Sequence, residues 1–162
     1  MFDKLSNFQN HQDFLLNIHK NKEEKLSELF RLINHENVDI SDYDNFKKIT
    51  HLVMKKIKKS DKAFLLWLHC TGEHISFKFN CKWALVKYNL PTSKVWYSPI
   101  LINETQDVWM IGQDCEKMYY KYKRLYDIEF STFYKMSIER LLHKTKLSDI
   151  NREGLIDFIE LK

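Results

Sequence analysis

The order of hydrophobic periods along this 162-residue chain predicts an α+β fold: a helical N-terminal third, a small antiparallel sheet in the middle and helices at the C-terminal end. Three observations lead there. Apolar residues recur at helical spacing as far as Ile57, alternate strictly with polar ones from Ile75 to Leu85, and return to helical spacing after Asp114. With 3 Gly, 2 Pro, no repeat and no low-complexity stretch, nothing marks a linker, so residues 1–162 are expected to form a single domain.

Each element has its own justification. Phe14, Leu15 and Ile18 share one helical face, and Leu26, Leu29, Phe30 and Ile33 share the next after a polar interruption at residues 20–25. Two helices are expected there, with Asn21 capping the second. Ser41 followed by Asp44 resembles a capping box ahead of Phe46, Ile49, Leu52, Val53 and Ile57. The apolar run Ala63 to Leu68 reads as a buried strand joined through Thr71-Gly72 to the alternating stretch, or else as a helix. Ile75, Phe77, Phe79, Cys81, Trp83 and Leu85 then form the apolar stripe of a strand. Two short strands follow, at 94–97 between Pro91 and Pro99, and at 108–111 before Gly112, with a polar loop at 103–107 between them. Asp114 is placed to cap a helix bearing Met118, Tyr119, Tyr122, Leu125 and Tyr126. Ser131 or Thr132 starts another, and Ser148 a last one through Ile150, Leu155, Phe158 and Ile159, weakened by Gly154.

Composition excludes several function classes. The chain has 11 Phe, 8 Tyr and 4 Trp, too much buriable surface for a disordered tail. Its few glycines exclude a phosphate-cradling loop and a dinucleotide fingerprint. The basic residues are 22 Lys and 4 Arg, so the planar fork that reads phosphates and guanine edges is scarce, and the net charge is +4. Three irregularly spaced cysteines, Cys70, Cys81 and Cys115, fit a reducing compartment, and the N-terminus lacks an apolar leader segment. The longest apolar run, Ala63 to Leu68, is too short to span a bilayer. A cytoplasmic protein without membrane contact is expected.

His69, Cys70, Glu73, His74 and Cys81 are the densest group of metal-ligating residues, but no second close pair accompanies them as a structural zinc site requires. The same stretch has one residue too many for the zinc-protease pattern H-x-x-E-H. Asp157, Glu160 and Lys162 carry the spacing that metal-dependent nucleases use, with no assigned carboxylate upstream. Cys115 would fall in the first turn of a helix capped by Asp114, where the dipole lowers a thiol pKa, but it also sits on a core stripe. No cofactor, metal or catalytic residue is therefore expected.

Two surfaces remain. Lys117, Lys121 and Arg124 share a helical face beside Tyr119, Tyr120, Tyr122 and Tyr126, an interleaving suited to phosphates and stacked bases. Trp96, Tyr97, Trp109 and Tyr120 are residue types that anchor protein interfaces, and Tyr120 falls off the apolar stripe of its helix. The leading expectation is a non-enzymatic domain that binds and blocks another protein such as a toxin or defence enzyme, in the manner of an inhibitor, immunity protein or antitoxin. Its contacts would be Trp96, Tyr97, Trp109, Tyr120, Lys117, Lys121 and Arg124. A nucleic-acid-binding module on residues 117–126 is the first alternative, and a small metal-dependent hydrolase or nuclease the second.

Overall fold

The computed structural model describes residues 11–89, 95–121, 134–135, 146–150 and 156–162, the side chains of Val95, Trp96 and Lys121 excepted. The elements are α1 (Gln12–Leu16), α2 (Lys22–Leu32), α3 (Tyr43–Lys56), α4 (Asp61–Phe79), β1 (Lys82–Asn89), β2 (Val95–Ile102), β3 (Val108–Trp109), α5 (Ile111–Glu116), a π-helical turn (Lys117–Lys121), α6 (Leu147–Ile150) and β4 (Ile156–Glu160). The sheet is antiparallel in the order β3-β2-β1-β4. The α+β class holds, and the polar interruption separates α1 from α2 as the sequence implied.

The central element is α4, and it corrects the sequence reading. Its start is set by Ser60, whose hydroxyl accepts the Ala63 amide at 3.1 Å. From Ala63 to Gly72 every residue is buried, so the helix has no polar face to betray its period. Ile75 to Phe79, expected as a strand, are its last turns: Ile75 faces the core while Phe77 points to solvent at 73% exposure. Leu68, Gly72, Ile75 and Phe79 satisfy helical spacing, so Ile75 and Phe79 fit a helix as well as the alternation they suggested. Gly72, expected in a turn, lies inside the helix, where any side chain is excluded because a Cβ would sit 2.0 Å from Trp83 Cζ2.

Other boundaries also differ. Asp42, not Ser41, caps α3 by accepting the Asn45 amide at 2.9 Å, while the Ser41 hydroxyl donates to Asp39 Oδ1 at 2.7 Å. Asn21 stands at the start of α2 in a left-handed conformation, φ 54°, without a side-chain cap. Asp114 lies inside α5 and accepts Trp109 Nε1 at 2.8 Å instead of capping a helix. Phe158 and Ile159, expected in a helix, belong to β4, whose pairing partners in β1 are Val86 and Leu85. Of the helix expected from Ser131 or Thr132, only Tyr134 and Lys135 are among the described residues, and both are helical.

Register assigns each face of the sheet. Trp83 pairs with Leu101, and Leu101 with Trp109; Leu85 lies between Pro99 and Ile159. This face joins α2, α3, α4 and α5 in the main core. On the other face Ala84, Val86, Ile100, Ile102 and Val108 form a second cluster against Met110, Leu147, Ile150 and Ile156. Pro99 is accommodated where β3 no longer runs alongside β2. There α5 packs close, and a Cβ on Gly112 would meet Pro99 Cδ at 2.7 Å.

Candidate functional site

The expected anchors are placed unequally. Trp109 is fully buried with its indole N–H on Asp114, so it packs the core and is removed from any contact surface. Tyr97 is half-buried against the main core. Tyr120 is also half-buried: its hydroxyl donates to Asp61 Oδ1 at 2.6 Å, and Lys59 Nζ stands 4.8 Å above its ring centroid. Tyr119 is buried beside it, donating to the Ser60 carbonyl at 3.2 Å and packing edge-on to Tyr120 at 4.9 Å. Both rings thus fasten the π-helical turn to the start of α4, which leaves neither as an open stacking platform for a base. Lys117 is exposed. The side chains of Trp96 and Lys121, and all of Arg124, lie outside the described residues.

The residues of the hydrolase alternative are separated by the geometry of α4, because positions five apart lie about 140° from each other around a helix. His74 faces α3. Its Nδ1 donates to the Ile40 carbonyl at 2.6 Å, which leaves Nε2 to accept from the Tyr134 hydroxyl at 3.0 Å. The ring stacks on Phe46 at 4.2 Å, 9° from parallel, and burial lowers its pKa. His69 faces β1 and α2: its ring lies 6.3 Å from Trp83, 8° from parallel, and Nε2 is 3.7 Å from Glu73 Oε1. Burial, reinforced by Lys25 and Lys22, holds its pKa down to about 3. Two histidines that the sequence grouped therefore serve opposite sides of the helix.

Cysteine and metal chemistry find little support among the described residues. Cys70 and Cys115 are fully buried, and loss of solvation pushes both thiols well above their ordinary pKa; Cys81 rises to about 11 for the same reason. All three are free. Among the described residues no three His, Cys, Asp or Glu side chains converge as a metal would require, so His69, Cys70, His74 and Cys81 do not form one site. Asp157 accepts from Asn89 Nδ2 at 2.7 Å, and Glu160 pairs with Lys82 at 2.7 Å, both across the sheet.

A polar feature that the sequence reading missed is the clasp at Asp107. Its Oδ2 accepts from Thr105 Oγ1 at 2.6 Å and Asn103 Nδ2 at 3.1 Å, while Lys146 Nζ lies 2.8 Å from Oδ1. The Lys146 ion pair and these hydrogen bonds hold the carboxyl down to about 2. Nearby, an open cleft of about 400 Å³ is lined by Asn80, Cys81, Lys82, Asn103 and Gln106 among others. Lys82 is committed there to Glu160, and Asn103 to Asp107. Among the described residues, the large apolar side chains left on the surface are Phe77 at 73%, Leu16 at 39% and Phe158 at 37% exposure. No helix of the described residues is long and apolar enough to cross a membrane. No protein-family model, curated protein or solved structure matches this chain.

Proposed function

We propose that the domain works by binding and blocking a partner protein, as an inhibitor or an immunity or antitoxin-type protein does, and not by catalysis. The observation that carries this reading is Phe77, the most exposed large apolar side chain described, presented from the end of the buried helix α4. An aromatic on a rigid helix loses little conformational freedom on docking and can bury a large area. In this reading Phe77 takes the anchoring place first assigned to Trp109. Among the groups weighed for chemistry, both His74 nitrogens are engaged inside the fold and the Cys70 and Cys115 thiols are buried with raised pKa, which supports a binding role.

The test compares wild type with Phe77→Ser as bait in nuclease-treated lysate of the native host, washed at low and high salt. One protein held in near-stoichiometric amount through high salt is expected. Its affinity should fall at least tenfold on Phe77→Ser, a loss of about 1.4 kcal/mol or more. Thermal melting of the variant should be unchanged, because the ring is exposed. Equal capture by both baits would remove Phe77 from the interface. Recovery of nucleic acid alone from a parallel lysate left without nuclease, lost at high salt, would replace the reading with phosphate binding.

A further inference from the structure

Glu73 joins three elements. Its Oε1 accepts Trp83 Nε1 of β1 at 2.8 Å, and its Oε2 pairs with Lys22 Nζ at the start of α2 at 3.2 Å. One turn earlier on α4, His69 is completely buried, and neither ring nitrogen has a hydrogen-bond partner among the described residues. Its 3.7 Å approach to Glu73 Oε1 is too long for a hydrogen bond. A buried imidazole with an idle nitrogen beside an already engaged carboxylate is an arrangement in which one added proton must rearrange its neighbours.

We propose that His69 is an acid-sensitive latch: its protonation draws the Glu73 carboxylate away from Lys22 and releases the turn between α1 and α2. The groups facing the imidazole among the described residues are Glu73 from α4, Lys22 and Lys25 from α2, and the neutral Trp83 indole from β1. An imidazolium there would face two cations, and its nearest anion, Glu73 Oε1 at 3.7 Å, is already engaged by Trp83 and too far for a hydrogen bond. Either Glu73 turns to it and loosens Lys22, or Lys22 and Lys25 move away; both outcomes open the same contact. Lys25 carries the turn with it, because its Nζ donates to the carbonyls of Asn17, at 3.0 Å, and Lys20. Burial keeps His69 neutral while the latch is closed, whereas an opened, solvated imidazole regains its ordinary value of 6.5. Opening therefore takes up one proton, and its equilibrium constant rises about tenfold for each pH unit below about 6.5.

Amide hydrogen exchange on the full chain, corrected for intrinsic rate, tests this at pH 7, 6 and 5. The probe is the first turn of α2, including the Lys25 amide that donates to the Asn21 carbonyl at 3.1 Å; Ile49 and Val53 in α3 are the controls. The opening constant of the probe amides is expected to rise about tenfold from pH 6 to pH 5 in wild type, with the controls unmoved, and to stay flat in His69→Phe. If His69→Phe does not fold, His69→Gln takes its place, and the wild-type imidazole signal followed by NMR should show a neutral ring at pH 5 in the closed state. The same pH dependence in the His69 variants, a flat wild type, or an equal rise in the α3 controls would overturn the latch.

Discussion

Gly72 and Trp83 compete for one volume, and the contest shows how a single residue fixes the join between helix and sheet. The Trp83 ring cannot step aside cheaply, since its N–H is held by Glu73 and its face lies against His69. Gly72→Ala should therefore destabilise the protein by about 2–3 kcal/mol, well beyond the small gain in helix propensity that Ala brings. Urea unfolding of Gly72→Ala, Trp83→Leu and the double variant checks the cause. A coupling of at least about 1 kcal/mol is expected, and strict additivity would mean that the strain lies elsewhere. His74 makes the complementary point at this scale. Both of its nitrogens are occupied, so the sequence could see a histidine in an apolar stretch but not the Ile40 carbonyl 34 positions away that it holds.

At the scale of elements, the Asp107 clasp decides where α6 attaches. The turn after β2 is built from Asn103, whose Oδ1 accepts the Thr105 and Asp107 amides at 3.1 Å and 2.8 Å, and Lys146 reaches into it from the segment before α6. Because the Asp107 pKa is depressed to about 2 from 3.8, its stabilising effect is complete above the ordinary carboxylate value and is lost as pH falls toward 2. Lys146→Met should lower the melting temperature at pH 7, and the gap to wild type should shrink steadily between pH 4 and pH 2. A gap independent of pH would show that Lys146 acts by packing alone. The polar loop at 103–107 was legible, as were α1, α2 and the α3 segment, because each has one buried face and one solvated face. The span from Ala63 to Phe79 was not, because a helix buried over most of its length shows no amphipathic period, and its exposed Phe77 supplied a false alternation that ran on into the true strand at Trp83 and Leu85.

For the whole molecule, the deciding contact is the return of β4 to the middle of the chain. It pairs with β1 across about seventy residues of sequence, setting Ile159 beside Leu85 on the main-core face and Phe158 beside Val86 on the other. His19 and the Lys162 carbonyl oxygen, 2.8 Å apart, bring α1 and the residues after β4 together as well. Since one core serves the helices and this sheet face, Ile159→Asp should cost about 2–3 kcal/mol and shift a single cooperative urea transition. Separate transitions for helical and tryptophan signals would instead divide the molecule into two folding units. By itself the sequence determined the α+β class, the polar turn after β2 and the absence of a glycine-rich phosphate loop, since composition and local period act over a few residues. Tertiary structure alone decided that Ala63 to Phe79 is one helix, that β4 is a strand, that Trp109 lies inside and Phe77 outside, and that His69 and His74 face apart. Those outcomes depend on which distant surfaces meet, and burial between such surfaces outweighs local propensity.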